Sequence, residues 1–151
     1  MSTFAIVLLV VVAYVVGQMT LLRPSARDTR LMQLRAEARK AGLHPRLLAP
    51  PEWYRGERPT GGLLACYSLL QEEGRKGLPY FRAERLADGE WVVRAGSGAL
   101  LKGLALPPEA EKLLALEAQA NAVSLWWQES TGPEVLPAYL ALLRQLMDKS
   151  R

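Results

Sequence analysis

The chain has 151 residues, half of them apolar and 23% charged, with a single cysteine and a formal net charge of +4. Such a composition excludes a disordered chain, and one cysteine excludes an intramolecular disulfide. Between Arg23 and Arg46 seven basic residues face only Asp28 and Glu37, whereas the stretch from Leu47 onward holds 12 basic and 13 acidic residues. A basic excess confined to one short stretch beside an apolar segment is a topology signal, so no nucleic-acid partner is expected.

The apolar segment runs from Phe4 to Leu22, 19 residues without a charge. A helix crossing a hydrocarbon core needs about 20 such residues. The three residues before it carry no basic side chain, and no small-residue triplet follows, so a cleaved signal peptide is disfavoured. Residues 1–22 are therefore expected to form a transmembrane signal-anchor helix. Arg23, Arg27 and Arg30 follow at once, and short segments rich in arginine stay in the cytoplasm. The expected topology is a single pass in a bacterial inner membrane, N-terminus outside and soluble domain cytoplasmic. The same three arginines are expected to meet lipid headgroups.

Residues 23–42 read as a basic juxtamembrane helix. Ser25 and Asp28 stand at capping-box spacing, Leu31, Leu34, Ala38 and Ala41 recur at helical intervals, and Gly42 fits the residue that ends a helix. Residues 43–151 are expected to form a small α+β soluble domain. His44 to Ala49 is a short extended piece that Pro45 assigns to an edge. A loop from Glu52 to Gly62 carries Trp53 and Tyr54, and Leu63 to Leu70 reads as a buried strand. Two further strands flank Asp88-Gly89, a strong hairpin signal.

Beyond a glycine-containing connection, the spacing predicts two C-terminal helices. The first would carry Leu113, Leu116, Ala120, Val123 and Trp127 on its apolar face, with Glu117 on the adjoining polar face. The second would carry Leu136, Leu140, Leu143 and Met147. The fold class is thus α+β: a small antiparallel sheet packed by the juxtamembrane helix and two C-terminal helices.

No catalytic, cofactor-binding or metal constellation is visible. Cys66 lies in an apolar run far from His44, the only histidine, and a zinc site would need ligands at close spacing. Glu72-Glu73 beside Arg75-Lys76 reads as a solvated turn, and Gly96-Ser97-Gly98 fits no phosphate-loop pattern. Trp126-Trp127 on a helix would place one ring in the core and Trp126 at its boundary. Trp53, Tyr54 and Trp126 are therefore the candidates for partner contact, aromatic residues being enriched at interfaces.

Leu22-Arg23-Pro24 after an apolar span, a basic helix, and later Thr60-Gly61-Gly62-Leu63 resemble the YajC family, small single-span accessory subunits of the bacterial preprotein translocase. The resemblance implies an accessory role in a membrane complex and carries over no site residue. The expected function is that of a non-enzymatic membrane accessory or scaffold protein, with membrane lipid and other complex subunits as partners. The alternative is a membrane-tethered small-molecule-binding or enzymatic domain whose site is assembled from distant positions.

Overall fold

A computed structural model describes residues 2–150. They form two compact units, divided between Met32 and Gln33. The first contains α1, Thr3–Leu21, a helix with no buried residue and long and apolar enough to cross a membrane. At 1.5 Å per residue it extends about 28 Å, close to the roughly 30 Å of a hydrocarbon core. Ser2 caps it, accepting from the Ala5 amide.

Helix α2, Ala26–Lys40, begins in the first unit and ends in the second. Its start is the expected capping box. The Asp28 amide donates to the Ser25 hydroxyl at 3.1 Å, and the Ser25 amide and hydroxyl donate back to the Asp28 carboxylate at 3.2 and 2.7 Å. These bonds hold the Asp28 carboxyl below its ordinary pKa. Its end is a Schellman motif: the Leu43 amide reaches the Ala38 carbonyl and the Gly42 amide the Arg39 carbonyl. Gly42 takes φ +89°, a conformation that only glycine enters without strain. The helix buries Leu34 and Ala38, and Leu43 follows them into the core.

The second unit is built on a six-stranded antiparallel sheet: β1 (His44–Leu48), β2 (Leu64–Leu70), β3 (Leu78–Arg85), β4 (Trp91–Ala95), β5 (Leu113–Ala120) and β6 (Ala122–Trp127). Their spatial order is β1-β2-β6-β5-β3-β4. Three hairpins are combined, and the last in sequence is inserted between the first two. Both edges are blunted. Pro45 sits in β1, opposite Tyr67, and cannot donate to a further strand, while a bulge interrupts β4 next to Arg94. The β3–β4 turn is the one marked by Asp88-Gly89, with Gly89 at φ +89°.

The segment expected to be the first C-terminal helix is the β5–β6 hairpin. Only one C-terminal helix follows it, α4 (Leu136–Lys149), and a five-residue helix α3 (Gly98–Lys102) occupies the connection after β4. Leu, Ala, Glu and Gln dominate 113–120 and favour a helix in isolation, yet β2 and β3 each offer an unpaired ladder on either side of the hairpin. Pairing with both overrides a propensity difference of only tenths of a kcal/mol per residue. The tight turn also lacks the usual marker, because Gln119 pairs with Ala122 and Ala120 takes φ +53° where glycine or asparagine is customary.

A strand places alternate residues on opposite faces. One face carries Tyr67, Phe81, Ala83, Leu116, Ala118, Val123, Leu125 and Trp127, all fully buried. Helix α4 lies against β6 and β2 on this side through Tyr139, Leu142, Leu143 and Leu146. Trp127 is held edge-on between Tyr67 and Tyr139, with ring centroids 5.4 and 5.0 Å away.

Burying a leucine stabilises by about 1.5–3 kcal/mol, and truncation leaves a cavity as well. Leu116→Ala should therefore cost about 2–5 kcal/mol in urea unfolding of the detergent-solubilised chain. Glu117, expected on the polar face of a helix, instead faces Arg82 across the sheet at 2.8 Å. Glu117→Ala should cost about 1–3 kcal/mol rather than a few tenths, since it strands a half-buried guanidinium. A Leu116→Ala loss below about 1 kcal/mol would contradict this packing.

Candidate functional site

The second face of the sheet holds the polar residues. Ser68 and Ser124 share a hydrogen bond of 2.8 Å at the centre, with the Cys66 thiol 3.8 Å from Ser68 Oγ. Alongside them run two ion pairs. Arg82 Nε donates to Glu117 and is stacked over the rings of Tyr80 and Trp53, 4.4 and 5.3 Å from their centroids. Arg94 donates to Glu84, whose other oxygen accepts the Arg55 amide at 2.8 Å. Glu84 is 0% exposed, and these donors stand where water would otherwise solvate its carboxyl group. The Arg55 bond also ties the 49–63 connection down onto this face.

That connection covers the apolar end of the same face. Tyr54 packs with Leu64, Cys66, Ala115 and Trp126, and Trp53 leans against the group. The three aromatic candidates for partner contact thus lie together: Tyr54 and Trp126 are buried, and Trp53 is half-buried. The strand geometry that separates Trp126 from Trp127 by a whole sheet thickness was not legible while the segment read as a helix. Arg23, Arg27 and Arg30 are all exposed in the first unit, between α1 and the early turns of α2.

A third polar group lies on the α4 side. Glu129, just after β6, accepts two bonds from Arg35 of α2, at 2.9 and 2.5 Å, and one from the Tyr67 hydroxyl at 2.7 Å. The pair raises the Arg35 pKa. Burial, reinforced by Glu129, pushes the Tyr67 hydroxyl far above its ordinary range.

The chemistry open to these groups is limited. Glu84, Glu117 and Glu129 each already accept from a guanidinium. Burial pushes the Cys66 thiol up, away from the reactive thiolate. Among the described residues no three potential metal ligands cluster.

Concavity lies elsewhere, around the C-terminal end of α4. One hollow of about 610 Å³ is lined by Gln71, Arg75, Lys76, Gly77, Leu78, Pro79 and Ser150. A second of about 500 Å³ adjoins it through Pro79 and Ser150 and reaches Tyr80, Leu100 and Lys149. Among the described residues that line them are three cations and no carboxylate side chain. Arg75 is paired with Glu72, but both are exposed, and such pairs contribute only about 0–1 kcal/mol. Lys149 donates to the Gly103 carbonyl. The buried Ser150 hydroxyl has no hydrogen-bond partner. From sequence, Arg75 and Lys76 read as a solvated turn, and nothing marked Gln71 or Ser150; only the fold brings the turn to the end of α4.

Compared with family models, curated proteins and solved structures, the chain matches none.

Tyr67→Phe should cost about 1.5–3 kcal/mol at neutral pH by leaving one Glu129 acceptor site empty. The sign of the pH effect follows from the raised pKa. In the unfolded chain the hydroxyl ionises near 10, whereas in the native state it stays protonated. Its contribution is fully present below pH 10 and is lost as pH rises above it. Tyr139 shifts in the same direction, through burial. Urea unfolding between pH 9 and 11 should therefore show falling stability, with a shallower fall in Tyr67→Phe; equal slopes would contradict the assignment.

Proposed function

We propose that this protein is a non-enzymatic, single-pass accessory or scaffold protein of a bacterial membrane complex. The observation that carries the reading is α1: 19 residues, none of them buried, apolar along their length and followed directly by Arg23, Arg27 and Arg30. An apolar surface of this extent is stable only in lipid or against a partner. The arginines orient the chain with its N-terminus outside and the sheet domain in the cytoplasm, and they meet anionic headgroups at about 1 kcal/mol each. The engagement of the buried carboxylates supports the accessory role: Glu84, Glu117 and Glu129 each serve a guanidinium. The resemblance of the anchor, the basic helix and Gly61-Gly62 to the YajC family supports an accessory subunit of the preprotein translocase as one form of this role. The cleft at the end of α4 favours a second reading, a membrane-tethered small-molecule-binding domain.

A cytoplasm-dependent reporter fused after the last residue should be active, and a periplasm-dependent one silent; the reverse pattern would refute the orientation. Changing Arg23, Arg27 and Arg30 together to glutamine should produce a mixed population. For the accessory role, gentle purification from native membranes should recover stoichiometric partner subunits. Recovery of the chain alone, fully intact and monodisperse, counts against it.

A further inference from the structure

We infer that the cleft at the C-terminal end of α4 is a binding site for a phosphate group carried on a small apolar body, which deepens the second reading above. The cations set the sign of the ligand. Arg75 and Lys76 project from the β2–β3 turn, Lys149 stands on the adjoining wall, and among the described residues no carboxylate side chain lines either hollow. The uncharged polar groups set its hydrogen-bonding character. Gln71 is 8% exposed at the edge of this space, and the Ser150 hydroxyl, in a residue 5% exposed, is left without a partner. Buried hydroxyls without a partner are uncommon in folded proteins and call for a ligand or an ordered water. A guanidinium, an ammonium, an amide and a hydroxyl suit the three acceptor oxygens of a phosphate monoester better than the two of a carboxylate. Leu78, Pro79 and Leu100 add apolar lining that runs from the first hollow into the second, beside Tyr80 and Ser97, so the phosphate would be attached to an organic group.

The source of such a group is either a lipid or a soluble phosphate ester. The full chain, ¹⁵N-labelled in phosphate-free maltoside micelles, is titrated in one arm with glycerol 3-phosphate and in the other with phosphatidic acid. The Gln71 side-chain amide and the Ser150 backbone amide should shift saturably in at least one arm. A response to glycerol 3-phosphate assigns the site to soluble esters, and a response to phosphatidic acid alone assigns it to lipid. The double variant Arg75→Gln/Lys76→Gln should weaken binding at least tenfold with the rest of the spectrum unchanged, since both side chains are exposed. Ser150→Ala should weaken it about threefold to tenfold, as expected for one hydrogen bond of roughly average strength. No shift in either arm, or equal affinity in the double variant, would overturn the site. Neither result bears on the topology, which the reporter fusions test separately.

Discussion

Glu129 joins the layers of the domain. One carboxylate, placed just past the end of β6, receives Arg35 from α2 and the Tyr67 hydroxyl from β2. Tyr67 in turn stacks on Trp127, and Trp127 on Tyr139 of α4. Sheet and both flanking helices therefore meet in a single chain of contacts from Arg35 to Tyr139. Removing the carboxylate would leave a guanidinium and a phenol facing a nearly dry interior, a loss of several hydrogen bonds at once. Sound packing on this face depends on that charge being answered, and the bidentate Arg35 answers it more rigidly than a lysine would.

The opposite face solves a different problem. It is neither fully covered nor fully wet, and it alternates charge with charge: Arg94 with Glu84, Arg82 with Glu117. The 49–63 connection fastens to this array through the Arg55 amide and uses Tyr54 to seal the apolar end beside Trp126. Polar groups engaged with one another in this way hold the strands and the 49–63 connection together. The open cations sit instead at the far end of α4, where a turn and a helix terminus come together.

Much of the architecture was legible because it is local. The capping box at Ser25 and Asp28, the left-handed Gly42, the edge proline in β1 and the Asp88-Gly89 turn are each decided by a few neighbouring residues. The β5–β6 hairpin was not, because its strand character comes from β2 and β3 rather than from its own side chains, and its turn uses Ala120 in place of glycine. The same error hid the buried placement of Trp126 and the partnership of Glu117 with Arg82. A 3.6-residue period fits Leu113, Leu116, Ala120, Val123 and Trp127, whereas the two-residue period is confined to short runs such as Val123, Leu125 and Trp127, and only the tertiary setting makes the shorter runs decisive. The cleft was illegible for the same reason, as Arg75 and Ser150 are 75 residues apart in the chain.

The central position of β5 and β6 has a consequence for synthesis on the ribosome. The β1–β2 and β3–β4 hairpins emerge first, but neither can complete its ladder, because the strands that belong between β2 and β3 are among the last to leave the exit tunnel. Until then the nascent domain presents two open strand edges, those of β2 and β3. A chain stalled before Ala122 would be the form most prone to aggregate.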